Sequence, residues 1–198
     1  MTKYILDGGS AAYKDPLNFY RSVVEGIDKQ LISILLIDLA SVNPEQLNLY
    51  LHQNKKASPR NPGMFQFANP HKIATVTLEV GDLFRTIPKY DVIYITGGNG
   101  DWLQKNILSL ISVSKLKEVV RDKIVVGCSA GVNMWSQIYY SNDNRRIMNG
   151  LGINKLATFC HYSSSKYPAL NSLFVSSLHQ QVGSVIPLSD DEFVVYQD

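Results

Sequence analysis

The sequence predicts an α/β fold: a three-layer sandwich in which a mostly parallel central sheet is covered by helices on both faces. Three observations predict it. Short apolar runs alternate along the chain with longer segments of helical period. The runs are rich in the β-branched residues that suit strands buried on both faces. The residues unusual enough to carry chemistry fall directly after those runs, where parallel sheets collect their sites.

Taken in order, Lys3 to Leu6 is the first strand and ends on Gly8-Gly9-Ser10. A helix follows from Pro16 to Ile27, opened by a proline whose missing N–H costs nothing in the first turn. Leu31 to Leu39 is the second strand, and Pro44 opens a helix that runs to Gln53. Ile73 to Val80 and Asp91 to Thr96 are strands, the latter running into Gly97-Gly98-Asn99-Gly100. A long helix is expected from Asp101 to Val120, a strand from Lys123 to Cys128, helices from Ala130 to Tyr139 and Pro168 to Gln181, and a final strand from Phe193 to Tyr196. With no internal repeat, low-complexity tract or linker in view, residues 1–198 are expected to form a single domain.

Composition narrows the function. Of 198 residues 45% are apolar, enough for a core without disulfides or metals. The net charge of +2 comes from scattered residues. The densest basic cluster, Lys55, Lys56 and Arg60, lies among Ser58, Pro59, Pro62 and Gly63, the composition of a solvated loop, so no nucleic-acid partner is expected. Two cysteines, Cys128 and Cys160, suit a reducing compartment. The apolar run at the N-terminus is shorter than a signal peptide needs, and no run approaches the ~20 residues that span a bilayer. A soluble cytoplasmic protein is the expectation, with no membrane partner.

The most specific pattern is Gly127-Cys128-Ser129-Ala130-Gly131, Gly-x-Ser-x-Gly between a buried strand and a helix. A serine there must sit on a sharp, strained turn, and small neighbours let strand and helix approach. The turn places Ser129 at a helix N-terminus, where N–H groups favour developing negative charge. A serine that merely caps the helix would not call for small residues on both sides. A hydroxyl needs a base to take its proton. Of the four histidines, His52, His71 and His179 lie in polar or loop surroundings, whereas His161 follows the apolar Leu156-Ala157-Thr158-Phe159-Cys160. His161 is therefore the candidate base.

The carboxylate that would hold the imidazole is left open between Asp143, best placed in chain order, and Asp190, Asp191 or Glu192. Asp143 lies in Ser141-Asn142-Asp143-Asn144, which is also a plain turn sequence. An oxyanion hole needs two donors. The N–H of Ala130 is one by construction, and the glycine-rich turn Gly97-Gly98-Asn99-Gly100 is the source of the other. That turn lacks the spacing and the Lys-Ser/Thr of a phosphate-binding loop.

Together, Gly8-Gly9-Ser10, Asp91 to Asn99, Gly127 to Gly131, Asn142-Asp143, Gly150-Leu151-Gly152-Ile153 and His161-Tyr162 resemble, in this order, peptidase family S51, which includes aspartyl dipeptidases and cyanophycinases. The resemblance implies a fold like the class I glutamine amidotransferases (flavodoxin-like), with serine in place of their cysteine. It implies a small peptide substrate and no metal or organic cofactor. Ser129 is then the nucleophile and His161 the base, while Asp143 matches the family acid if one residue is dropped after the elbow. Gly98 and Ala130 become oxyanion donors, and Gly97, Asn99 and Tyr162 border the substrate. Family members that act on aspartyl substrates use an arginine downstream of the histidine. This chain has none after Arg146, and Lys166, the nearby cation, lacks the guanidinium fork.

A dipeptide-hydrolysing serine peptidase, monomeric or homodimeric, is thus the leading expectation. A silent binding or sensor protein on the same fold is the alternative. A thiol enzyme is a third reading, opposed by Cys128, which falls one residue before the turn and should point into the core.

Overall fold

Runs with apolar side chains on both faces of the pleat become central strands, because only burial on both sides removes all of that surface from water. The computed structural model describes residues 1–53, 58–60, 69, 71–78, 81–162, 171–182 and 184–198. Within them, β1 (Lys3–Asp7), β2 (Leu31–Ile37), β3 (Ser58–Arg60), β4 (Ile73–Leu78), β5 (Val92–Ile95), β6 (Ile124–Cys128) and the last strand, β11 (Phe193–Gln197), form one sheet. Its order is β11-β1-β6-β5-β2-β4-β3. The five inner strands run parallel, and β11 and β3 lie antiparallel at the edges.

Side chains divide by parity. Ile5, Ile34, Val92 and Val126 face α1 (Ala11–Lys14) and α2 (Pro16–Val24), packing against Ala11, Phe19 and Val23. Their neighbours Leu6, Leu35, Ile93 and Val125 face the opposite layer, made of α3 (Leu47–Gln53), α4 (Leu83–Thr86), α5 (Gly100–Leu110), α6 (Val113–Val119) and α7 (Ala130–Trp135). Each fully buried Leu, Ile or Phe contributes about 1.5–3 kcal/mol. The result is the flavodoxin-like, three-layer arrangement with a mostly parallel sheet.

Ser58–Arg60, read as part of a solvated loop, instead pairs antiparallel with β4 as β3, and two helices also differ from expectation. The stretch from Asp101 to Val120 is two helices, because Ile111 turns extended (φ −154°, ψ 138°) and the Ser112 hydroxyl caps α6 by accepting the N–H of Lys115. The helix from Ala130 stops at Trp135, where Ser136 turns extended and the chain enters β7 (Ile138–Ser141). Ile138 and Tyr139, expected to end a helix, instead open a second sheet. It contains β7, β8 (Arg146–Asn149), β9 (Ala157–Cys160) and β10 (Val185–Leu188) in the order β10-β9-β7-β8. This sheet was not predicted. Its apolar core of Ile138, Tyr140, Ala157 and Phe159 is covered by Leu178 of α8 (Asn171–Gln181), together with Val182. The small sheet matters because β9 runs directly into His161.

Candidate active site

In the large sheet β6 lies between β1 and β5. The turns leaving their carboxyl ends, at Gly8-Gly9-Ser10, Ser129 and Gly97-Gly98, are therefore neighbours. Between β6 and α7, Ser129 takes φ 48°, ψ −104°. A non-glycine residue held there costs about 1–3 kcal/mol and persists only where its surroundings enforce it. They do. The Ser129 N–H donates to the Asp7 carbonyl at 2.9 Å, and the Ser129 carbonyl accepts the N–H groups of Val132 and Asn133 at 2.9 and 3.1 Å. The small neighbours are required as well. A Cβ on Gly127 would stand 2.7 Å from the carbonyl carbon of Gly131, and one on Gly131 would stand 2.6 Å from the carbonyl oxygen of Ile95.

His161, the first residue past β9, also has a positive φ, 62°. Its Nε2 lies 2.8 Å from Ser129 Oγ. On the other side of the ring, Nδ1 pairs with the Asp190 carboxylate. A carboxylate only accepts, so Nδ1 carries the proton and Nε2 is left to accept the serine hydroxyl. A polar seam fixes α7 against β9 beneath this line. Thr158 donates to Asn133 Oδ1 at 3.0 Å, and the Asn142 amide donates to the Cys160 carbonyl at 2.8 Å.

Asp143, the expected partner of the imidazole, is not at this position. It is exposed in the turn between β7 and β8, while both ring nitrogens of His161 are engaged by Ser129 and Asp190. The reason is register. Parallel pairing of β10 with β9 sets Leu188 opposite Cys160, which carries Asp190 alongside the residue that follows β9. Of the other carboxylates left open, Glu192 accepts the N–H of Ser189 at 3.0 Å and closes its own turn, and Asp191 is exposed.

The remaining candidates fall around the serine. Gly97 approaches so closely that a Cβ on it would be 3.3 Å from Ser129 Cβ. Gly98, with φ 139°, is exposed beside it. The N–H of Ala130 belongs to the first turn of α7, which has no acceptor within its own helix. Asn99 caps α5, its Oδ1 accepting the N–H of Trp102 at 3.0 Å. Tyr162 donates its N–H to the Leu188 carbonyl at 2.9 Å, and its ring packs edge-on to Phe159. Lys166 lies outside the described residues. Among those described, no group of three or more His, Cys, Asp or Glu could hold a metal ion, and no helix is long and apolar enough to cross a membrane.

The two thiols sit against the site without joining it. Burial first, and the nearby Asp7 carboxylate second, push the Cys128 thiol up to about 12. Burial raises Cys160 well above the usual thiol range. At pH 8 only about one Cys128 in 10⁴ is then thiolate, the form that reacts. Iodoacetamide at pH 8 should therefore leave activity and the mass of the folded protein unchanged. Activity lost in step with carboxamidomethylation of Cys128 would restore the thiol reading.

The structure thus describes a class, that of three-layer α/β proteins with a Ser129–His161–Asp190 line at the carboxyl ends of the parallel strands. The model of peptidase family S51 matches residues 24–198, and the chain belongs to that family. The fold is shared with a provisionally assigned peptidase E protein from Listeria monocytogenes EGD-e, at a TM-score of 0.61 and 16% identity, covering 100% of this chain and 99% of that one. It is shared also with a peptidase from an acI-B1 actinobacterium, at a TM-score of 0.60 and 12% identity, covering 100% of this chain and 84% of the other. No curated protein matches the chain.

Proposed function

We propose that the protein is a serine peptidase that hydrolyses an amide bond in a dipeptide or other small peptide through an acyl-enzyme on Ser129. The observation that carries this reading is the 2.8 Å approach of Ser129 Oγ to His161 Nε2, with Asp190 behind the ring. Ser129 Oγ attacks the scissile carbonyl carbon while its proton passes to Nε2. Asp190 holds the tautomer and stabilises the imidazolium that forms. The carbonyl oxygen, now negative, is met by the N–H groups of Gly98 and Ala130. Collapse of this intermediate breaks the C–N bond, and the imidazolium returns its proton to the departing amine. Water, deprotonated by His161, then releases the acid product and restores the serine. Gly97, Asn99 and Tyr162 border the substrate.

A fluorophosphonate probe followed by a panel of dipeptides varied at the N-terminal residue, Asp-X included, tests the proposal. The expected result is one phosphonylated residue, Ser129, and turnover of part of the panel. A folded protein that takes up no probe and cleaves no peptide would favour a binding or sensor role instead.

A further inference from the structure

Asp7 closes β1 directly beneath the site, is 1% exposed, and takes no part in the chemistry above. Burying a carboxylate is costly unless hydrogen bonds repay it. Here Oδ1 accepts two, from the backbone N–H groups of Gly9 at 2.9 Å and Ala11 at 3.0 Å. The Ala12 N–H and the Cys128 thiol also lie against the carboxylate, and Oδ2 is left without a well-formed hydrogen bond. Burial accordingly holds the Asp7 carboxyl above the usual carboxylate range. A cap on α1 does not account for such a group, since that helix has four residues.

The loop that Asp7 folds, Gly8-Gly9-Ser10, is the backing of the His161–Asp190 pair. Gly8 donates its N–H to the Glu192 carbonyl at 3.0 Å, and Ser10 donates both its N–H and its hydroxyl to the Asp190 carbonyl, at 2.5 and 2.9 Å. Ser10 stands at the N-cap of α1 but makes no capping bond, its hydroxyl being used on Asp190. Gly9 packs close to the imidazole, and a Cβ there would be 2.6 Å from His161 Cε1 and 3.4 Å from Asp190 Oδ1. At the same residue, the main-chain carbonyl of Asp7 holds the Ser129 N–H. One residue therefore touches the serine turn through its backbone and the backing loop through its side chain.

We propose that Asp7 is a positioning residue, whose carboxylate shapes the Gly8–Ser10 loop so that the His161–Asp190 pair meets Ser129 at proton-transfer distance. This rests on the hydrolase reading. The acceptor, rather than the charge, is what the loop requires. Asp7→Asn keeps an Oδ1 acceptor for Gly9 and Ala11, whereas Asp7→Ala removes it.

The test measures the rate of fluorophosphonate labelling at Ser129, which needs no knowledge of the substrate. It also follows the downfield imidazole proton of His161 Nδ1 by NMR, with circular dichroism and melting curves to establish folding. Small displacements of reacting groups cost about 10²-fold, so Asp7→Ala should be labelled about 10²-fold more slowly and should lose or shift the Nδ1 proton. Asp7→Asn, keeping the acceptor, should stay within about threefold of wild type and retain the proton. A folded Asp7→Ala labelled at the wild-type rate with an unmoved proton overturns the proposal, as does an Asp7→Asn that falls as far as Asp7→Ala. Should Asp7→Ala not fold, Ser10→Ala reads the same loop from its other end: labelling about tenfold slower supports the proposal and a wild-type rate overturns it. Failure of the hydrolase reading shows separately, as wild-type protein that takes up no probe, and the Nδ1 proton then still decides whether Asp7 sets the pair.

Discussion

Ser129→Ala should reduce kcat on any cleaved peptide by about 10⁶-fold and abolish fluorophosphonate labelling, with His161→Ala costing nearly as much and the double variant little more. Under the proposed mechanism the two residues act as one unit: the hydroxyl is a weak nucleophile at neutral pH, and His161 Nε2, 2.8 Å away, is the group that would take its proton. Removing either member would then leave the same residual catalysis from binding and the proposed oxyanion donors. Stability supplies a second signature. Ser129 occupies φ 48° at a cost that glycine does not bear. Ser129→Gly should therefore be as inactive as Ser129→Ala yet more stable than wild type by about 1 kcal/mol, read by urea denaturation. Full activity in either serine variant would remove Ser129 from the mechanism, whereas loss of activity accompanied by unfolding would leave only a structural role for the turn.

Asp190→Asn is expected to lower kcat by about 10⁴-fold while the fold survives. An amide can present its NH₂ to the ring, which makes Nδ1 the acceptor and puts the proton on Nε2, where it blocks the serine. Asp190 is half exposed, so the substitution buries no unpaired group and melting should be nearly unchanged. Asp143→Asn, in an exposed turn, should leave kcat within about threefold of wild type, as surface changes commonly do. Steady-state rates of the two variants, measured side by side, decide the matter. The reverse ranking would return the role to Asp143 and require the β7–β8 turn to reach the ring.

The contrast between those two aspartates marks where local pattern stops being informative. Ser129 stands out because Gly127 and Gly131 report a steric demand that only a strand-to-helix crossing makes. His161 stands out because an apolar run ends on it. Nothing near Asp190 announces it. It lies in a polar turn after Val185–Leu188, a strand of four residues, one of them proline, whose pairing with β9 follows a long excursion of the chain. Asp7 was hidden differently, as a polar end to an apolar run next to glycines that drew attention to themselves.

What the sequence by itself determined was six of the seven strands of the large sheet and its longer helices, the serine turn at the carboxyl end of β6, and membership of a recognisable peptidase family. Periodicity and steric exclusion are local properties, written within a few residues of where they act. What only the tertiary structure decided was the small sheet, and with it which carboxylate faces His161 and which buried group backs that pair. Four short strands have too little apolar surface to declare themselves singly, so they form only when packing against α8 and one another buries it, and the contacts that result join residues distant in the chain.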